Sequence, residues 1–215
     1  MFLKADLHIH SNHSDGKSSV REILKSAIAK GLDVISITDH DTLNGSLEAI
    51  EIVREEHLPI KVIRGVEIST AQGHLLAYGI SREIDKGIDL IEAVKLVRDL
   101  GGITSLAHPF QFYRNGAIRL KFFKVVDCIE VFNARSLPIF NGLSNFFCKV
   151  YKKGKTAGSD AHKAEFVGYG IVLINIDSSD EKSILNTLKN RQCEVKGKIS
   201  AKNLFWRFLF YLNRL

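Results

Sequence analysis

Apolar and polar positions along the chain follow two alternating periods. Short runs rich in β-branched residues, "LKADLHI", "DVISIT", "IKVIRGVEIS", "HLLAYGI", "ITSLAH", "CIEVFN", "TAGS" and "YGIVLINI", read as strands. Between them lie stretches whose apolar residues recur every three or four positions. In "SSVREILKSAIAKG", Val20, Ile23, Leu24, Ala27 and Ile28 form one stripe, Ser19 and Glu22 have capping-box spacing, and Gly31 closes the run. "NGSLEAIEIVREEH", "LIEAVKLVRDLGG", residues 138–153 and "SDEKSILNTLKNR" predict further helices. "DVISIT" is almost continuously apolar, as in a strand covered on both faces. The alternation predicts βα units around a parallel sheet, open or closed as a barrel.

The segment "AKNLFWRFLFYLNRL" carries five aromatics in fifteen residues. As a helix it places Asn203, Arg207 and Arg214 on one narrow face with apolar residues around the rest. That breadth predicts burial, so residues 201–215 are expected as an apolar helix packed on a single domain spanning 1–215.

Composition narrows the class. With 215 residues and 45% apolar content the chain suits one domain with a substantial core. Cys128, Cys148 and Cys193 are far apart and form no CxxC pair, which predicts a reducing, cytoplasmic setting. The start lacks the apolar stretch of a signal peptide, and no run of about 18 apolar residues predicts a membrane span. Charge is uneven: residues 1–110 hold 12 basic and 16 acidic side chains, residues 111–215 hold 18 and 8. A basic second half is by default a solvated surface and secondarily a face for a phosphate-bearing partner. Lys152, Lys153 and Lys155 read as a solvated helix end.

The candidate chemistry falls on the strand ends. His8 and His10 are two apart on a strand and point the same way. His40 follows "DVISIT", Glu67 lies near the end of "VIRGVEIS", His74 opens the next strand, His108 follows "ITSLA", and Asp160 and His162 follow "TAGS". Parallel α/β folds place their chemistry at such positions. A lone histidine there is more often hydrogen-bonded than a ligand, and His13 and His57 are read so. The set taken together has too many metal-type groups for one ion, and histidine with carboxylate but no cysteine suits zinc, manganese or iron. Two or three divalent ions are therefore expected. Phosphoryl oxygens also attract arginine. Arg135, after "CIEVFN", is the candidate phosphate ligand, with Asn133 beside it, while Arg64 is expected to face away from Glu67. Asp6, Asp39 and Asp41 are candidates for orienting imidazoles, and Asp41 equally for capping the helix after "DTLNG".

The motifs "DLHIHSNHSDG", "ITDHDTLNG", "GVEIST", "AHP" and "GSDAH", in this order, make the chain resemble the polymerase and histidinol phosphatase (PHP) superfamily of metal-dependent phosphoesterases. The resemblance spans residues 6–162. It implies a distorted (β/α)7 barrel with the metal site at the C-terminal strand ends. It also implies metal ligation by His8, His10, Asp15, His40, Glu67, His74, His108, Asp160 and His162, and leaves His13 as a bystander. "HSDGK", "ITDHDT" and "GVEIS" most resemble the branch acting on nucleoside bisphosphates and short RNA. Glu67 and His108 stand only 41 residues apart, so the insertion usual in that branch is missing. The expected function is hydrolysis of a phosphomonoester or phosphodiester of a nucleotide or short oligonucleotide, by water that bound metal brings from a pKa of 15.7 towards about 7. Proton transfer falls to Asp160 or His162, with Arg135 on the phosphate. A histidinol-phosphatase type of small-metabolite phosphatase and a non-catalytic metal-binding regulatory module are the alternatives. No stable duplex nucleic-acid partner is expected.

Overall fold

A computed structural model describes residues 2–199. In chain order the elements are β1 (Phe2–Ile9), α1 (Val20–Ala29), β2 (Val34–Ile37), α2 (Asn44–Glu55), β3 (Lys61–Val62), β4 (Gly65–Thr70), β5 (Gly73–Tyr78), α3 (Leu90–Asp99), β6 (Ile103–Leu106), α4 (Leu120–Val125), β7 (Cys128–Asn133), α5 (Pro138–Val150), β8 (Gly154–Gly158), β9 (Gly170–Asn175), α6 (Glu181–Lys189) and β10 (Cys193–Gly197). Short 3-10 turns cover Phe112–Arg114 and Ala164–Phe166. The expected helix at 201–215 lies outside the described residues.

Local signals act as the sequence implies. The Ser19 N–H donates to Glu22 at 2.8 Å and the Glu22 N–H donates back to the Ser19 hydroxyl, so α1 starts at a complete capping box. Such a cap contributes about 1 kcal/mol. Val20, Ile23, Leu24 and Ala27 of the predicted stripe are buried and pack with Ile35 and Ile37 of β2 and Ala49 and Ile52 of α2. Asp89 caps α3 and Asp180 caps α6 through their carboxylates. Asp41 caps nothing: α2 starts after Leu43, and the Thr42 hydroxyl and Leu43 N–H donate to Glu83 instead.

The strands form two five-stranded sheets, in the orders β10-β9-β1-β2-β3 and β4-β5-β6-β7-β8. Four of the pairings are parallel: β1 with β2, β2 with β3, β6 with β7 and β7 with β8. The other four, β1 with β9, β9 with β10, β4 with β5 and β5 with β6, are antiparallel. The expectation of parallel βα units therefore holds for half of the ladder, and among the described residues no closed seven-stranded barrel forms. One physical reason is the hairpin β4–β5. A two-residue loop joins these strands, and Gly73 follows it at φ 135°, a backbone setting that glycine tolerates without strain. The other is a break in "IKVIRGVEIS". Its first half pairs with β2 in one sheet and its second half opens the other sheet. Gly65 sits at the break, where a Cβ would lie only 2.1 Å from the Ser36 hydroxyl.

The two sheets face each other across a core that includes Leu7, Leu76, Tyr78, Cys128, Val172 and Leu188. The Tyr78 hydroxyl donates to the Leu7 carbonyl at 2.9 Å, crossing from one sheet to the other. α3, α4 and α5 cover the outer side of the second sheet. The sheets also touch at two seams, one joining the C-terminal ends of β1 and β8 and the other the chain just after β2 to the first half of β4. At one, the His10 N–H donates to Ala161 (2.9 Å) and the Asp160 N–H to His8 (2.7 Å). At the other, the Asp41 N–H donates to Glu67 (3.0 Å) and the Glu67 N–H to Asp39 (3.2 Å). These seams bring residues from both sheets to one end of the molecule.

Candidate metal centre

All nine residues singled out as ligands meet between the seams. His8, in β1, and His10, one residue beyond its end, both turn towards Glu67, and both are buried. Gly158 lets β8 lie against them: a Cβ there would stand 2.2 Å from the His8 Cβ. Glu67, on β4, is the hub. Its Oε2 lies 3.0 Å from His8 Nε2, 3.1 Å from His10 Nε2 and 3.7 Å from His40 Nδ1. Its Oε1 lies 3.0 Å from both His74 Nδ1 and His108 Nε2. His10 reaches towards Asp15 (3.5 Å) and Asp160 (3.7 Å), and His162 Nε2 lies 3.0 Å from Asp15. Four triads have ligand atoms within 4.8 Å of one another: His8, His10 and Glu67; His10, Asp160 and His162; His10, Asp15 and His40; and His40, Glu67 and His74. His10 belongs to three of them. His108 and Asp160 hold positive φ, 29° and 52°, in a region costly to residues with a side chain.

The electrostatics of this end are those of a site built around something cationic. Burial works against charge on every group here. For Glu67, the surrounding imidazoles, His8 first, outweigh burial and keep its pKa well below the usual carboxylate range. For Asp160, the guanidinium groups of Arg114 and Arg135 do the same. His8, ringed by Glu67, Glu130 and Asp160, is held well above the usual imidazole range despite its burial. His10 and His108 are pushed down to about 4 and about 3, chiefly by burial. Two imidazoles are thus kept neutral, the form that ligates metal. The Nδ1 atoms of His10, His40 and His108 are buried without a hydrogen-bond partner. A buried imidazole nitrogen left unpaired is costly, and divalent metal is what this donor set satisfies. The residues present therefore fit the ions that the resemblance implies.

Two contributors escaped the sequence reading. Glu130, inside "CIEVFN", is buried. It accepts from the His108 N–H at 2.6 Å and from Asn133 Nδ2 at 3.1 Å, and its Oε1 lies 2.9 Å from His8 Nδ1. With Nδ1 on Glu130, Nε2 is the nitrogen of His8 that faces Glu67. The available signal was a carboxylate between Ile129 and Val131, since a buried charge demands partners. Arg114, in the 3-10 turn after β6, donates to Asp160 Oδ2. It gave no sequence signal, being one polar residue in a polar loop. Arg135 Nη1 donates to Asp160 Oδ1 at 2.9 Å and lies 2.7 Å from the His162 ring nitrogen Nδ1. Asn133 is buried, and its amide donates to Asp160 at 2.9 Å and to Glu130.

Three placements differ from expectation, while those of Arg64 and His13 agree with it. Asp6, Asp39 and Asp41 orient backbone and hydroxyls, not imidazoles. Asp6 accepts from the Ser159 and Gly168 N–H groups (2.9 and 2.7 Å), and burial raises its pKa to about 6. Asp39 accepts from the Ser11 N–H and the Ser11 and Ser14 hydroxyls, pinning the loop after β1. Asp41 accepts from the Ser69 N–H. Arg64 turns away from Glu67 to pair with Glu181 at 2.9 Å, as alternation predicts. His13 pairs with Glu48 on the rim.

Comparison with known proteins agrees with this geometry. Residues 6–129 match the family model described as the PHP domain, and residues 138–193 match one described as PHP-associated. An uncharacterized protein of Methanocaldococcus jannaschii is 32% identical over 143 residues, covering 61% of this chain and 82% of its own. A 5'-3' exoribonuclease of Haemophilus influenzae is 39% identical over 103 residues, which cover 46% of this chain and 37% of that enzyme. The fold is also that of a solved two-domain protein from Bacteroides vulgatus containing a predicted PHP-like metal-dependent phosphoesterase. That structure has a TM-score of 0.79 and 21% identity, covering 97% of this chain and 69% of the other. Members of the matched family are phosphoesterase hydrolases, and with its motifs, fold and clustered histidines and carboxylates in agreement the present chain belongs to the PHP domain family.

Proposed function

We propose that the chain hydrolyses phosphate esters of nucleotides or short oligonucleotides. In this reading two or three divalent ions (zinc, manganese or iron) are held on His8, His10, Asp15, His40, Glu67, His74, His108, Asp160 and His162. The observation that carries it is the convergence of nine ligand-type side chains with three buried imidazole nitrogens lacking a partner. Ions bound there would supply charge neutralisation for the phosphoryl oxygens and an acidified water. The chain's own residues do the rest. Glu67, facing five imidazoles, fixes the spacing of the ligand set. Glu130 fixes the tautomer of His8. Arg114 and Arg135, both on Asp160, flank an open cleft of about 170 Å³ and offer guanidinium donors to a phosphoryl group entering it. Asn133 acts through Asp160 as a positioning residue. Asp160 lies buried at the floor of the cleft and His162, partly exposed beside it, is placed to pass a proton to the leaving oxygen. The likeness to the Haemophilus exoribonuclease, over 46% of this chain, supports the nucleotide class.

Metal analysis joined to a phosphatase panel tests this. Expected are at least two ions per chain and manganese- or zinc-dependent phosphate release from a nucleoside 3′,5′-bisphosphate or short oligoribonucleotide, abolished by chelator. Fewer than two bound ions with no turnover overturns the enzyme reading in favour of a binding module. Turnover of histidinol phosphate alone replaces the nucleotide reading.

A further inference from the structure

α5 carries an apolar stripe on the side turned away from the protein. Its buried positions are Ser144 and Cys148, while Ile139, Leu143, Phe146 and Val150, spaced i, i+4, i+7 and i+11, stand 38–66% exposed. On α1 the order is the ordinary one: Val20, Ile23, Leu24 and Ala27 are buried, and Arg21, Glu22 and Lys25 face outward. Seven of the nine large apolar side chains exposed among the described residues lie between Phe112 and Val150. Single exposed apolar residues are ordinary, but a group of them marks a surface that meets something. Ring contacts join the group across elements. The Phe147 centroid stands 5.2 Å from that of Phe146 and 5.8 Å from that of Phe123 on α4. Tyr113, edge-to-face with Phe112, stands 6.1 Å from Phe140. The rim of this face is cationic. From Gln111 to Ser159 the only carboxylates are Asp127 and Glu130, and both are buried. The same stretch exposes Arg119, Lys121, Lys124, Lys149 and Lys152, none of them in an ion pair among the described residues. Lys153 Nζ donates to the Lys124 carbonyl at 2.8 Å, which draws the basic ends of α4 and α5 together.

We propose that this face of α4 and α5 docks on an anionic lipid surface, with α5 lying flat in the headgroup layer, its apolar ridge inward and the lysines on the lipid phosphates. The proposal is independent of the phosphoesterase reading. An apolar stripe bordered by lysine and arginine is the pattern of a helix that lies in a membrane interface. Charge selects this occupant over two others. A second copy of the same face would set one cationic rim against another. Residues 201–215 carry Lys202, Arg207 and Arg214 and no carboxylate, so they too add like charge. Anionic headgroups neutralise the rim. Shape agrees, because a helical ridge this exposed is convex, and a lipid layer yields to it where a protein would need a matching groove. Among the described residues no helix is long and apolar enough to cross a membrane, so the contact is with the surface. The ridge also starts beside the metal cleft. The Asn141 side chain in α5 accepts from the Asn133 N–H and donates to the Asn133 carbonyl, each at 3.1 Å, and Phe112 lies two residues before Arg114. Docking would thus hold the cleft close to the lipid surface.

Co-sedimentation of the full chain with vesicles of phosphatidylcholine, with and without about 30% phosphatidylserine, tests this. Wild type should partition to the phosphatidylserine vesicles roughly tenfold or more above plain phosphatidylcholine. Ile139→Ser/Phe146→Ser, which alters two exposed positions, should lower that partition by roughly tenfold or more, with the melting temperature unchanged as a check on folding. Lys124→Gln/Lys149→Gln should lower it by about fivefold per charge removed. A partition unchanged within about twofold in either variant overturns the proposal, and would move any binding to another part of the chain. Equal partition of wild type to both vesicles, or to neither, overturns it too. So does a wild-type dimer in light scattering that Ile139→Ser/Phe146→Ser converts to monomer, which would assign the face to a second copy.

Discussion

Glu67, in β4, and Asp127, just before β7 of the same sheet, are two buried carboxylates that are satisfied in different ways. Asp127, just before β7, accepts from the Thr104 N–H (3.1 Å) and hydroxyl (2.9 Å) on one oxygen. Its other oxygen faces Arg98 at 3.1 Å and Lys189 at 3.3 Å. Burial opposes its charge, and the Thr104 N–H and Arg98 outweigh that, so its pKa is lowered. Every partner is a fixed donor or a permanent cation. Glu67 is surrounded instead by imidazoles, of which two are kept neutral by burial and three carry an unpaired buried nitrogen. Asp127 completes a hydrogen-bond network within the protein. Glu67 anchors one that the protein leaves unfinished, which is the mark of a ligand site rather than a structural ion pair.

Substitutions should separate the two networks. The largest effect is expected at Glu67→Gln: bound metal and kcat/KM fall by more than about 100-fold, since even groups behind the ligands are worth roughly 10–100-fold. Elemental analysis of the purified variant reads this directly. Retention of two ions per chain would end the case for Glu67 as hub. Glu130→Gln comes next, with roughly 10–100-fold weaker metal binding, because an amide cannot accept from both His8 and the His108 backbone with Asn133. A competition titration against a chromophoric chelator measures it.

Asp127→Ala should do the reverse, leaving metal content intact while lowering stability by about 2 kcal/mol, because the Thr104 N–H and hydroxyl lose their acceptor. A melting temperature lower by roughly 4–8 °C is the readout. The pH dependence follows from the same carboxylate. Its pKa is depressed in the folded chain, so it contributes stability above its ordinary 3.8 that is lost as pH falls through the lower folded value. The Asp127→Ala variant should therefore show a shallower acid limb in urea unfolding below about pH 4. The smallest effect belongs to His13→Ala, with stability within about 0.5 kcal/mol of wild type and metal content unchanged. A lost ion there would put His13 among the ligands.

The sequence discloses Glu67 more readily than Glu130 for a physical reason. Strand ends, caps and helical stripes are local, and the Ser19–Glu22 box or the His8–His10 pair can be read from a few neighbours. Pairing partners are not local. β9 looks like any other strand until it is seen to run antiparallel beside β1, β10 has no counterpart among the strands read from the sequence, and "IKVIRGVEIS" looks unbroken until its halves join different sheets. Glu130 and Arg114 belong to this second kind. Their importance comes from His8 and Asp160, residues 122 and 46 positions away.

The place of β1 between β2 and β9 also orders events in time. β1 leaves the ribosome well before its antiparallel neighbour, since Ala5 pairs with Val172. At roughly 5–20 residues per second that is a wait of about 8–30 s. His8 and His10 spend it without the strand that flanks them, and without the Asp160 and Ala161 backbone that later closes over them. The complete set of nine is thus among the last features of the protein able to form, because Asp160 and His162 arrive only with the end of β8, whereas the groups from His8 to His74 are made early.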